Sequence, residues 1–507
     1  MTDASKLFTK QQWRELELIA YLTEHSERIG HKDSDLCKVL GSSLSTLQAC
    51  VANLQFIDSV GSITYEEGYL TIEYNDHCGL QEVYQKAMRE SQSLQLLSTL
   101  FFNEFGSLEE LAEELFISLS TLKRLITRTN SYLKKEFGIK ISTRPVMVIG
   151  DEHQIRLFYL KYFSEAYTIS EWPFEDIVNQ SNLERLITLM GKQTDVTIDF
   201  ALFQHLKVLS SVNLIRFYQG FAINRKDQGL EHLFIEALKD SLEMKDLSSL
   251  FDLRFDIPLE ETALSEIFSN YLNDGLELGP LMQLKGEKKE KEAPVRNIVS
   301  WISLLDDMER TLTLSISNKY DLARHLQNTI ILEEEVISAN FLIYNYKKEY
   351  LKYFYKHYRV IYETFVAYSS DLLVTEDQEI SERTMEHLLY CLFITWENIF
   401  LEISQSRHKL KLLVIEKSYS NVANFLKRYF GEFFDITSFN ELGELKIDQT
   451  YLAQEYHVIV TDIILDQQED SEVLFFSQMI PSVIAHKLNA FLRVRINEEK
   501  QFSHLKV

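Results

Sequence analysis

The segment Asp35-Leu-Cys-Lys-Val-Leu-Gly-Ser-Ser-Leu-Ser-Thr-Leu47 returns 75 residues later as Glu110-Leu-Ala-Glu-Glu-Leu-Phe-Ile-Ser-Leu-Ser-Thr-Leu122, with SLSTL identical at 43–47 and 118–122. A repeat at fixed offset means that one structural unit is used twice, which constrains the fold before any local propensity is weighed. Each copy reads as a short helix (35–40 and 109–115), a turn of about three residues, and a serine, Ser43 or Ser118, able to cap a second helix. Leu47, Val51 and Leu54 recur there at helical spacing, as do Leu122, Leu125 and Ile126, so one face of each second helix packs inward. A hairpin-like stretch follows each copy, 62–73 around Glu67-Gly68 and 140–149 around Arg144-Pro145. An ordinary helical hairpin would satisfy the spacing alone; the duplication and the two wings favour two winged helix-turn-helix units that read DNA.

The copies differ in charge. The first recognition helix, 44–54, has no Lys or Arg, and its wing carries Glu66, Glu67 and Glu73. The second offers Lys123, Arg124 and Arg128 on the side expected to be exposed, with Ser120, Thr121 and Thr127 as hydrogen-bonding neighbours and Lys134, Lys135, Lys140 and Arg144 beyond. From 120 to 144 there are seven basic residues against one acid, Glu136. Phosphate neutralisation supplies most non-specific affinity, and Arg and Lys make the commonest base contacts. The second unit should therefore carry most of the binding, with Ser45, Gln48 and Asn53 of the first assisting.

The net charge of −24 does not oppose this, because a local basic face and not the total binds phosphate. At 507 residues the chain exceeds one hydrophobic core, and about three to five domains are expected. Six prolines and 16 glycines favour long helices with short turns. Cys37, Cys50, Cys78 and Cys391 form no CxxC pair and no zinc spacing, so they read as reduced thiols. There is no signal core and no apolar run long enough for a membrane span, which points to a cytoplasmic protein. Glycines are too sparse for a phosphate-cradling loop, and no catalytic constellation, metal site or cofactor is expected.

Residues 5–22 (SKLFTKQQWRELELIAYL), the two helix-turn-helix units and residues 150–163 (GDEHQIRLFYLKYF) resemble the Mga/AtxA group of virulence regulators of Gram-positive bacteria. The resemblance implies a mainly helical, multidomain transcription factor: winged helix-turn-helix domains at 1–75 and 76–164, helical domains of the phosphotransferase-regulation (PRD) type at 165–284 and 285–406, and an α/β domain like a sugar-phosphotransferase IIB component at 407–507. It implies double-stranded DNA as partner, self-association through the last domain, the phosphocarrier protein of the sugar phosphotransferase system as a regulator, and RNA polymerase as a further contact. The pattern agrees. Residues 165–400 are apolar at helical spacing, split by the polar run Lys285–Pro294. After Ser406, strands at 411–415, 433–439 and 457–461, and a stretch at 472–480, alternate with helices at 420–430 and 482–495, as in a parallel α/β sheet.

In such regulatory domains histidines accept phosphate, and His205 and His325 are the candidates, with His387 weaker; each also reads simply as a structural or surface histidine. Arg324 could pair with phosphate on His325. A IIB enzyme transfers phosphate through a cysteine after its first strand, but Glu416-Lys-Ser-Tyr-Ser420 holds none, and serine is far too weak a nucleophile to replace it. The alternatives are a PRD-containing RNA antiterminator, which would begin with a β-rich RNA module, and a phosphotransferase-linked protein scaffold.

Overall fold

The computed structural model describes residues 3–25, 30–194, 198, 200–223, 261–269, 298–334, 341–374, 381–399, 402, 409–417, 421–431, 433–443, 447–465 and 471–502. The polar run 285–294 lies outside them. The chain forms two compact units: residues 1–297, 326–349 and 381–388, and residues 298–325, 350–380 and 389–507.

In the first unit, helix α1 (Lys10–Glu24) opens on a capping box in which Thr9 and Gln12 satisfy each other's backbone amides. Then follow β1 (His31–Lys32), α2 (Asp33–Val39), α3 (Leu44–Ala52), β2 (Gly61–Glu66) and β3 (Tyr69–Tyr74), an antiparallel sheet of order β1-β3-β2. Leu18, Leu22, Leu36, Leu47, Cys50 and Leu70 form its small core, and burial pushes the Cys50 thiol up to about 11. The buried carboxylate of Glu15 accepts the backbone N–H groups of Gln55 and Phe56 at 2.7 and 2.6 Å, tying the end of α3 to α1.

The same plan repeats after α4 (Leu80–Glu90). Helix α5 (Gln92–Phe102) precedes α6 (Leu108–Glu114), α7 (Leu119–Glu136) and the hairpin β4 (Lys140–Thr143) with β5 (Val146–Ile149). An isolated bridge between Phe105 and Val146 takes the place of the β1–β3 pairing. Thus the repetition reaches beyond the helix-turn-helix to a further pairing beside each hairpin, a two-residue strand in the first copy and a single bridge in the second.

Helix α8 (Glu152–Ala166) is buried along nearly its whole length. It packs on α10 (Phe200–Tyr218), which also meets α9 (Gln180–Thr194) and α11 (Glu261–Ile267). At its start, Glu152 pairs with Arg156 at 3.1 Å and Arg216 at 2.7 Å, and Arg156 with Glu266 at 2.8 Å. Buried charges of this kind hold only while every partner is present. At its other end Glu165 accepts the N–H groups of Leu342, Ile343 and Tyr344, seating the segment 341–345.

The remaining helices of the central region are α12 (Ile298–Leu312), α13 (Lys319–Glu334), α14 (Tyr346–His357), α15 (Arg359–Val374) and α16 (Glu382–Thr395). In the second unit α12 turns Trp301, Leu305 and Met308 inward and packs on α15. Asn318 donates to the Thr395 carbonyl at 2.7 Å.

The second unit ends in β6 (Leu410–Ile415), α17 (Val422–Phe430), β7 (Phe434–Ser438), α18 (Gln449–Glu455), β8 (Val458–Thr461), β9 (Glu472–Phe475) and α19 (Pro481–Phe502). The strands are all parallel in the order β7-β6-β8-β9. Leu412 and Val414 face α17 and α19 on one side of the sheet; Leu413 and Ile415 face Leu452 of α18 on the other. A parallel sheet covered on both faces needs such continuously apolar strands. The sheet and its alternation match expectation. However, α18 has no counterpart in the expected order of elements, and within the stretch 472–480 the strand β9 covers Glu472–Phe475. The four thiols are free. Among the described residues no helix is long and apolar enough to cross a membrane.

Candidate nucleic-acid interface

Helix α7 owes its position to both ends of the repeat. Ser118 accepts the N–H of Thr121 at 3.2 Å, and its hydroxyl lies 3.0 Å from Ser120 Oγ and 2.9 Å from Thr121 Oγ1. Ser43 does the same for α3, with Thr46 N–H at 3.2 Å, Ser45 Oγ at 2.9 Å and Thr46 Oγ1 at 2.8 Å. The SLSTL identity is therefore a cap built twice from the same atoms.

Leu122, Leu125, Ile126, Thr129, Tyr132 and Leu133 bury one side of α7. Ser120, Lys123, Arg124, Thr127, Lys134 and Lys135 are exposed on the other, and Thr121 is half-buried. Thr127 spends its hydroxyl proton on the Lys123 carbonyl at 2.9 Å, leaving lone pairs to accept. Lys140 and Arg144 are exposed at the base and tip of the wing. These side chains share one helix and its hairpin.

Arg128 departs from the expected exposed face. It is half-buried, and Nη2 donates to Ser93 Oγ of α5 at 3.1 Å. Burial holds its pKa below the usual guanidinium range, and Arg124 adds to the effect. Its place at the seam between α7 and α5 makes it a packing residue.

Asn130 is a structural residue that leaves little mark in the sequence. Its amide donates to the Ile141 carbonyl at 2.9 Å and its carbonyl accepts the Ile141 N–H at 2.6 Å. This bidentate pairing clamps β4 to α7 and fixes the wing beside the recognition helix. The only signal is an amide side chain in mid-helix, where a bland solvent contact is the default reading.

In the first unit Ser45, Gln48 and Asn53 are exposed along α3. Asn53 sits at the helix end and donates to the Ala49 carbonyl at 2.8 Å, so its donor is engaged. Glu66, Glu67 and Glu73 stand exposed on the wing. Of the two second helices, α3 carries no cation and α7 presents Lys123, Arg124, Lys134 and Lys135 on its exposed side.

The turns of the two units also differ. Gly41 and Phe116, at the same point of the repeat, both hold left-handed backbone, φ +57 and +54.

Three sequence families of one group align along the chain. Residues 9–68 match the M protein trans-acting positive regulator (MGA) helix-turn-helix domain, 76–163 the Mga helix-turn-helix domain, and 179–399 the M protein trans-acting positive regulator PRD domain. The chain belongs to the Mga family. It is a transcriptional regulator with DNA-binding helix-turn-helix domains, and not an enzyme. A protein of Streptococcus pneumoniae serotype 4 described as a trans-acting regulator is 25% identical over 503 residues, spanning 97% of this chain and 99% of its own. The capsule synthesis positive regulator AcpB of Bacillus anthracis is 27% identical over 219 residues, 42% of this chain and 44% of its own. AcpA of the same organism is 27% identical over 97 residues, 19% and 20% of the two chains.

Within this Mga-family chain the histidine candidates differ in surroundings. His325 is exposed on α13. His205 on α10 is half-buried, and burial, with Lys347 nearby, pushes its imidazole down to about 4. His387 on α16 is buried. A phosphodonor protein has to reach a ring nitrogen, so accessibility ranks His325 first.

Proposed function

We propose that this regulator is a cytoplasmic, virulence-type activator that grips promoter DNA chiefly with α7 and the β4–β5 wing. The observation that carries this is the exposed row Lys123, Arg124, Lys134 and Lys135 with Arg144 at the wing tip. Ser120, Thr121 and Thr127 supply hydrogen-bonding groups beside it, and Ser45, Gln48 and Asn53 of α3 assist. Salt-dependent binding of the full chain to promoter fragments tests it, since a phosphate-gripping face gives a steep loss of affinity with salt.

Control rests, in this reading, on phosphate transfer from a phosphocarrier protein to His325 and secondarily His205. Phosphorylation adds up to about two negative charges to a helix surface and so biases an assembly or orientation equilibrium. A division into five parts, with the boundaries that the sequence suggests, suits such an arrangement. The last part, resembling a IIB component, serves self-association, which raises affinity by presenting two DNA-binding units at once. One contact favours a non-catalytic role for it. The backbone N–H of Lys417, just past β6, donates to Asp462 at 2.9 Å, so a carboxylate holds the loop where a phosphotransfer enzyme would cradle an anion.

A further inference from the structure

The turn between α6 and α7 carries a side chain that the fold does not use. Phe116 is 96% exposed, and it keeps the left-handed backbone that its counterpart Gly41 adopts without a side chain. A Cβ built on Gly41 meets nothing within 4 Å, so this point of the turn looks into open space. Isolated exposed apolar residues are ordinary on protein surfaces. A phenylalanine in a conformation that favours glycine, at a point where the sister copy has glycine, is not explained by packing.

Its neighbourhood sets the chemistry of what could cover it. Glu113 and Glu114, the last residues of α6, are exposed, as is Glu110 one turn earlier. Among the described residues Glu113 and Glu114 enter no ion pair. The aligned positions of the first copy are Lys38 and Val39, so this acidic edge belongs to the second unit alone. One helix-turn-helix unit therefore shows two surfaces of opposite sign: α7 offers Lys123 and Arg124, which suit phosphate, while the end of α6 offers carboxylates, which phosphate repels. A duplex does not complement the second surface.

We propose that Phe116, rimmed by Glu113 and Glu114, is the anchor for a protein of the transcription machinery bound to the same promoter, a partner presenting an apolar notch edged by Lys or Arg. An aromatic side chain entering a pocket, with complementary charges at the rim, is the usual anatomy of an interface hot spot. The proposal rests on α7 being the DNA-reading face and names the surface through which bound regulator becomes active regulator.

The test uses the full chain carrying Phe116→Gly, and separately Glu113→Gln with Glu114→Gln. Glycine is at ease at this φ and the ring supports no core, so the first variant should melt no lower than the parent. Promoter affinity by mobility shift and transcript yield with bacterial RNA polymerase holoenzyme are measured side by side, on a promoter recovered by selection with the protein itself. The expected result is affinity within about twofold of the parent and transcript reduced about tenfold, the loss of a modest anchor. Unchanged transcription overturns the proposal. So does affinity falling in step with transcription for Phe116→Gly, which would place the ring against DNA. A Lys123→Ala, Arg124→Ala protein that binds promoter normally would instead remove the underlying DNA-face reading, and is distinguishable because it leaves the Phe116 comparison intact.

Discussion

Tyr344 donates its backbone N–H to Glu165 at 2.6 Å while its ring stacks on Tyr84 with centroids 5.0 Å apart. Burial pushes the Glu165 carboxyl from 4.5 up to about 7, against the pull of the amides of Leu342, Tyr344 and Ile343 and of Lys161. Near pH 6 the folded chain keeps a proton that the unfolded chain has released. The stabilisation linked to that proton is fully present below about 4.5 and is lost as pH rises through 7. Amide exchange at 342–344, corrected for intrinsic rate, should therefore lose protection between pH 5 and 8, by at most about tenfold per pH unit. Glu165→Gln should flatten this dependence. A wild-type protein with constant protection would contradict it.

On the proposed DNA face, Lys123→Ala with Arg124→Ala should weaken promoter binding and lower the salt slope by about one for each phosphate no longer neutralised. Thermal unfolding should be unchanged. Arg128→Ala should behave differently, costing about 1 kcal/mol of stability because its bond to Ser93 is gone, with binding affected less than in the double variant. Calorimetry beside a titration of affinity against salt separates the two. Equal behaviour of the three cations would refute the distinction.

Asn130→Ala should be the most damaging single change among the polar side chains that join α7 to its wing. It removes both partners of the Ile141 backbone at once, and Ile141 is buried. Leaving those groups unpaired costs about 2–3 kcal/mol. The wing signals in an NMR spectrum of the variant should shift together with those of β4. A stability loss below about 0.5 kcal/mol would show that solvent replaces the amide freely.

The histidines are checked by incubating the protein with phosphotransferase components and phosphoenolpyruvate and mapping acid-labile phosphate. Label should appear first on His325, which is exposed, and weakly on His205. His325→Ala should abolish most of it. Absence of label from both would send the search for the regulatory input elsewhere.

Much of this is legible in the residues themselves because it is local. The serine caps, the Glu67-Gly68 and Arg144-Pro145 hairpin turns, and the apolar alternation of Leu412 to Ile415 act over a few positions and leave a pattern there. What escapes is long-range. Arg128 falls on the polar side of α7 by spacing, and its half-burial beside Ser93, 35 positions earlier, shows only once α5 is packed against α7. Glu15 and Glu165 read as solvated acids until the backbone amides they hold arrive from 40 and 177 or more positions away. Helix α18 is seven residues long, too short for periodicity, and its one cue is Asp448 capping Thr450 and Tyr451.

Ser43 and Ser118 give the molecule an internal standard. Replacing either by alanine deletes one hydroxyl from the same three-hydroxyl cluster, at a cost of about 1 kcal/mol to the helix it starts. The chemical perturbation is matched, so any difference in promoter output between Ser43→Ala and Ser118→Ala measures the division of labour between the two copies directly. The chain carries its own control experiment because its duplication has kept the cap while the surfaces around it diverged.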